Sequence, residues 1–180
     1  ARRQRQMCIR DSQEDVCLAI EDHYKPRFAG DSLPRGMTAL VVAVADKMET
    51  LVGMFGIGNL PTGDKDPFAL RRQALGVLRM LEERALPISV FELTAIASDL
   101  DVFPLGMFVG DKESSRSSNQ FEALRGFFSD RYEVVLKERG FSIQEIDAVF
   151  SGNVVENEPL TFVAQRLQAV RAFAALPEAP

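Results

Sequence analysis

The feature that most constrains this chain is a helical spacing of apolar residues, framed by start and stop signals. It is clearest in "DPFALRRQALGVLRMLEE", Asp66 to Glu83. Leu70, Ala74, Val77 and Leu81 recur every three or four residues and so fall on one face of a helix, and Leu75 and Leu78 widen that face. Asp66 can accept hydrogen bonds from the free N–H groups at the helix start. Pro67 suits the first helical position, where its missing N–H costs nothing. A stripe of this kind is stable only when another element covers it, so the fold is built helix against helix.

The same grammar runs through most of the sequence. "QEDVCLAIEDHY" places Val16, Ile20 and Tyr24 four apart, behind a cap at Ser12. "TALVVAVADKMETLVGMF" is apolar on nearly all sides up to Ala45 and reads as a buried helix. Its β-branched run also suits a strand, but Asp46, Lys47, Glu49 and the glycines that follow favour helix. Ser89 with Glu92, three residues on, forms a capping-box pattern and opens a helix to about Leu100. "GDKESSRSSN", Gly110 to Asn119, is polar and low in complexity and reads as a loop. "FEALRGFFSDRYEVVLKERG" reads as a long amphipathic helix, with Phe121, Leu124, Phe128, Val135 and Leu136 inward and Gly140 as its stop. Ser142 with Glu145 caps a short helix ending near Gly152, and Pro159 starts a last helix to about Leu176. About seven helices joined by short loops give an all-α, irregular helical bundle.

Composition narrows the class. Apolar residues make up 46% of the 180 residues, enough for a real core. No apolar run reaches the ~18 residues of a membrane span, since Met37 to Met48 is broken by Asp46 and Lys47. Two cysteines and one histidine cannot build a disulfide scaffold or a Cys/His metal cluster, so a reduced, cytoplasmic protein is expected. The net charge of −5 is uneven: residues 1–95 carry 13 basic and 13 acidic side chains, whereas 96–180 carry 8 and 13. That balance argues against a protein that coats nucleic acid in bulk, while leaving room for a local basic face.

The glycine-rich stretch "FGIGNLPTGDKDP" invites comparison with a phosphate loop. Gly58 and Gly63 have the spacing of such a loop, but Asp64-Lys65-Asp66 stands where it needs Lys and a hydroxyl. Two carboxylates beside a triphosphate would repel it, so a helix-to-helix turn is the better reading. Arg72 and Arg79 are seven apart and share a helix face, with Arg71 on its flank and Lys65 upstream. Such residues form either a solvated face, with Arg79 paired to Glu82 or Glu83, or a surface for RNA phosphates. His23, the only histidine, ends an amphipathic stretch and reads as a capping or packing residue. Neither it nor the cysteines has a partner placed for acid–base or nucleophilic catalysis.

Specific strings go further. "AIEDHYKPRFAGDSLP" followed by "AVADKMETLVGMFGIGNLPTGDKDPFALRRQALGVLRMLEE" closely resembles the β subunit of bacterial heterotetrameric glycyl-tRNA synthetase. The resemblance continues more loosely through "FFSDRYEVVLKERGFSIQEIDAVFSG" and "RLQAVRAFAALPEA" and covers most of 13–180. It implies a piece of a longer chain, in keeping with a start at "ARRQRQ" that has no initiator Met. Residues 13–100 would be the C-terminal part of an HD-like helical domain, 101–119 a linker, and 120–180 a helical region leading toward the anticodon-binding domain. Residues 1–12 are set apart as a foreign or disordered segment, because "QMCIRDS" matches translated adapter sequence better than the family.

The resemblance also implies a function. The whole enzyme joins glycine to its tRNA with ATP and magnesium, in the cytoplasm, as two α and two β chains. The α chain would hold the activation site. This piece would carry no catalytic residue, bind no cofactor or metal of its own, and meet the α subunit, a second β subunit and tRNA(Gly), with no membrane. Lys65, Arg71, Arg72 and Arg79 are the candidates for RNA backbone contact, with Lys25 and Arg27 behind them. His23 and Asp46 match two positions of an HD-phosphohydrolase pattern whose second histidine is Tyr24 here. Two ligands cannot hold a hydrolytic metal, which leaves a scaffold expected without metal. A metal-dependent phosphohydrolase and a purely structural helical module stand as the alternatives.

Overall fold

The computed structural model describes residues 14–62, 65–99, 114–151 and 157–176, with side chains described for all of these but 99 and 114–119. The segment 1–12 with its Ser12 cap, Gly63 and Asp64 of the glycine-rich stretch, most of the linker, and Gly152 lie outside the described residues.

The described residues form seven α-helices: α1 Glu14–Asp22, α2 Gly36–Gly56, α3 Leu70–Glu83, α4 Val90–Asp99, α5 Ser114–Glu138, α6 Ile143–Phe150 and α7 Leu160–Ala174. Among them the one β feature is an isolated bridge between Thr62 and Lys65. None of the helices is long and apolar enough to cross a membrane. The all-α expectation is met.

Helix α2 is the hub and packs against α1, α3, α4 and α5. Its buried residues Leu40, Ala43, Val44, Met48, Leu51, Val52 and Phe55 follow helical spacing, which settles helix over strand. It is not buried all round, as its composition suggested: Val41, Val42, Ala45 and Asp46 are exposed. Lys47, next to exposed Asp46, is buried at 4% exposure. On α3 the expected face is realised, with Leu70, Ala74, Val77 and Leu81 all buried. The α5 residues Leu124, Phe128, Tyr132 and Leu136 close the core from the other side, and the Phe55 and Phe127 rings lie 5.2 Å apart.

The helix ends explain the turns. The glycine-rich stretch leaves α2 through a Schellman motif: Gly58 has φ +74, its N–H reaches Phe55 O, and the Asn59 N–H reaches Met54 O. Gly140 (φ +82) ends α5 in the same way, with its N–H on Lys137 O and the Phe141 N–H on Leu136 O. Both predicted capping boxes form. Ser89 and Glu92 exchange bonds at 2.9 and 3.1 Å, and Ser142 and Glu145 at 2.6 and 3.2 Å.

Three local expectations are corrected. Pro67 is not the first residue of α3, which begins at Leu70 behind Ala69 in the left-handed region (φ 54). That turn lets Asp66 reach forward, so it still caps the helix, accepting the Leu70 N–H at 2.7 Å and the Arg71 N–H at 3.0 Å. Val16 on α1 and Tyr24 in the turn after it are exposed, and the buried edge of the helix is Ala19 and Asp22. The helix is turned by the charge partners of Asp22, and the apolar spacing does not set its face. Finally, α5 starts at Ser114, inside the polar stretch expected as a loop. A long helix anchored by a buried face extends cheaply into serines and asparagines, because propagation costs far less than nucleation.

Candidate functional site

Of the basic residues singled out in the sequence, Lys25 and Arg27 lie on the 25–35 loop and Arg71, Arg72 and Arg79 on α3, which is bonded to that loop, while Lys65 lies on the bridge before α3. The loop is fixed at both feet by buried carboxylates. Asp22, fully buried at the end of α1, accepts from the Arg35 N–H at 2.9 Å, from Arg35 Nε at 2.8 Å and from Arg35 Nη2 at 2.9 Å. Lys25 Nζ lies 3.0 Å from its other side. These bonds, led by the Arg35 guanidinium, hold the Asp22 carboxyl well below the usual carboxylate range despite its burial. Asp31 closes the second foot. It accepts from the Arg27 N–H and Arg27 Nε, both at 2.9 Å, and from the Ser32 N–H at 2.9 Å, and Arg27 depresses its pKa in turn.

Helix α3 grips the same loop from below. Arg79 Nη1 donates to Asp31 O at 3.0 Å, and Arg84, just past the helix, donates to Pro34 O at 2.7 Å. Gly76 lets the loop approach: a methyl there would sit 3.3 Å from Pro26 Cγ and 3.3 Å from the Lys47 side chain. Between the two feet, Phe28 to Asp31 forms a tight turn, with the Asp31 N–H on Phe28 O and Gly30 at φ +81. Phe28 stands at its corner, 57% exposed, with the Arg27 guanidinium 5.8 Å from its ring centre.

Two adjoining depressions flank that ring. One, of about 220 Å³, runs between the loop, α3 and α5 and reaches Tyr132 and Arg139 at its inner end. The other, of about 620 Å³, is bounded by Asp66, Ala69 and Arg71. Phe28 and Arg72 border both. Two of the three acids of the first depression are matched, Glu83 with Arg79 at 2.6 Å and Glu82 with Arg139 at 2.5 Å, while Glu138 stands exposed on its rim. Tyr132 donates to Glu82 at 3.3 Å, and burial pushes its phenol pKa up, so it stays protonated. Asp66 in the second spends both carboxylate oxygens on the α3 N-terminus.

The candidate residues therefore divide. Arg79 lines the first depression, Lys25 and Arg27 lie on the loop beside it, and the charges of the three are engaged by Glu83, Asp22 and Asp31. Arg71 stands at the edge of the second depression. Arg72 is exposed, and its guanidinium forms no hydrogen bond or ion pair among the described residues. Lys65 is exposed on the bridge before α3. Residues that the sequence reading missed are Arg35, Arg84 and Phe28. The two arginines find their partners 13 and 50 positions away, beyond any local pattern.

His23 and Asp46 do not meet as a metal pair. Asp46 is exposed on the groove between α2 and α4. The α2 side chain that reaches His23 is Lys47, whose Nζ donates to His23 O at 3.3 Å, while His23 Nδ1 is 2.9 Å from Ile20 O. A buried ammonium beside the histidine opposes a cation there, so these residues do not fit a hydrolytic metal. Among the described residues no group of three or more His, Cys, Asp or Glu is placed to hold one.

Comparison with known proteins agrees with the strings quoted above. The family model for the glycyl-tRNA synthetase beta subunit matches residues 8–151, starting within the segment set apart at the N-terminus. The glycine–tRNA ligase beta subunit of Paracidovorax citrulli is 55% identical over 166 residues, covering 92% of this chain and 21% of that one. That of Polaromonas naphthalenivorans shows the same identity and coverage. The Thiobacillus denitrificans protein of the same name is 53% identical over 166 residues, 92% of this chain and 22% of its own length. The chain thus spans about a fifth of the length of these relatives. On the family match over residues 8–151, this chain belongs to the glycyl-tRNA synthetase beta subunit family.

Proposed function

We propose that this chain is the part of a glycine–tRNA ligase beta subunit that offers a basic helix face to the tRNA backbone. The observation that carries the proposal is the state of Arg72. It stands exposed at the junction of two depressions, with no ion pair among the described residues, on a helix where Arg79, which lines the first of them, is engaged by Glu83. An arginine left uncommitted beside a concave surface suits a phosphate; Arg71 borders the second depression with it, and Lys65 is exposed upstream of the helix. Lys25, Arg27 and Arg79 support it from behind by shaping the loop. In this reading the piece positions RNA and carries no catalytic residue. ATP and magnesium serve elsewhere in an assembly of two α and two β chains that works in the cytoplasm.

A second reading has its own observation. Arg79 and Arg84 both hold loop carbonyls, which is a structural use of basic side chains. By extension Arg72 would dock on another part of the longer protein. Charge reversal, Arg72→Glu, in the full-length β chain separates the two. RNA contact predicts lost tRNA affinity with assembly onto the α chain intact. A docking role predicts lost assembly with tRNA affinity retained, and that result would overturn the proposal.

A further inference from the structure

Phe28 is exposed on a turn that has its own set of bonds. Its turn is held by the bonds of Asp31, and the loop beyond by those of Asp22, so the backbone that carries the ring is fixed on both sides. Gly30 in the left-handed region sets the turn that lifts it. The ring borders both depressions, and so does the uncommitted Arg72. An aromatic face beside a free guanidinium is the pairing that binds a nucleotide outside a duplex: the base stacks on the ring while the cation takes its phosphate.

We infer that Phe28 is a stacking platform for one unpaired base of the bound tRNA, with Arg72 holding the adjoining phosphate. The inference rests on the RNA reading above and deepens it, because a phosphate-only face would need no aromatic. It requires the RNA to present an unstacked nucleotide here, since a base within a helix already has both faces covered. A rigid turn serves this purpose well, as the platform loses little freedom when it is covered.

The test uses the full-length β chain assembled with its α chain and a tRNA(Gly) transcript. Phe28→Ala and Phe28→Leu are each expected to weaken tRNA binding by about 5- to 150-fold, the range for loss of one base–aromatic stack. Phe28→Trp is expected to keep the affinity. Leucine preserves apolar bulk without a π face, so it separates stacking from packing. The salt dependence of binding should not change in the Phe28 variants, because no phosphate contact is lost. If Phe28→Leu binds like the wild type while Arg72→Ala binds weakly, the platform is refuted and the RNA face stands. If Arg72→Ala also binds like the wild type, both fail. If Phe28→Ala lowers the melting temperature and Phe28→Leu restores it with affinity unchanged, the ring packs against protein and the inference is overturned.

Discussion

The Arg35 guanidinium closes on the Asp22 carboxylate through Nε at 2.8 Å and Nη2 at 2.9 Å, and so joins the end of α1 to the start of α2. The carboxylate is fully buried, so its charge is tolerable only while these donors are present. Asp22→Ala should therefore loosen the 25–35 loop far more than Glu158→Ala, which removes a surface pair with Arg166. Amide hydrogen exchange of the full-length chain, read across residues 14–40, measures the difference.

The same pair sets an acid limit. The folded-state pKa of Asp22 is depressed, chiefly by Arg35, so its contribution is fully present above the unfolded value of about 3.9. It is lost as pH falls through the folded value. Asp22→Asn should flatten the acid limb of the stability profile while lowering the neutral plateau, as a pH series of thermal melts can check.

Lys47 works in the opposite sense. Burial lowers its pKa, with Asp46 partly opposing the shift, so the charged form carries a penalty. The unfolded chain binds the proton more tightly, hence the penalty is complete below the folded pKa and is relieved as pH rises through it. Lys47→Met keeps the stem that packs near Gly76 and removes the ammonium. It should raise stability at neutral pH by about 1 kcal/mol and reduce the gain otherwise seen on going alkaline.

Ala85 ends α3 at φ 49, with its N–H on Glu82 O and the Leu86 N–H on Leu81 O. This is the position that glycine fills after α2 and α5. Ala85→Gly should stabilise the chain by roughly 0.5–1 kcal/mol by removing left-handed strain, measurable as slower exchange in the last turn of α3.

Much of this fold was legible because its signals are local. A capping box, a Schellman glycine or an apolar face needs only residues three to five apart, and Ser89, Ser142, Gly140 and the Leu70–Leu81 face behaved as read. What was not legible depends on partners distant in sequence. Asp22 is held by Arg35, 13 positions away, which no local pattern announces. Arg79 looked like an RNA ligand, and it also carries the Asp31 carbonyl from 48 positions away. The Val16–Tyr24 spacing named the wrong face because an ion pair fixes the rotation of α1. In the candidate site the sequence supplied basic residues and the local pairing of Arg79 with Glu83, but not the engagement of Lys25 and Arg27 by Asp22 and Asp31, and it gave no sign of Phe28.

Salt dependence tests the central claim most directly. The full-length β chain, assembled with its α chain, is titrated with tRNA(Gly) over a range of salt concentrations, as wild type and as Arg72→Ala. If Arg72 holds a phosphate, the variant binds more weakly and the slope of log K against log salt falls by about one. If affinity and slope are both unchanged, the basic face of α3 does not touch RNA and the account is wrong.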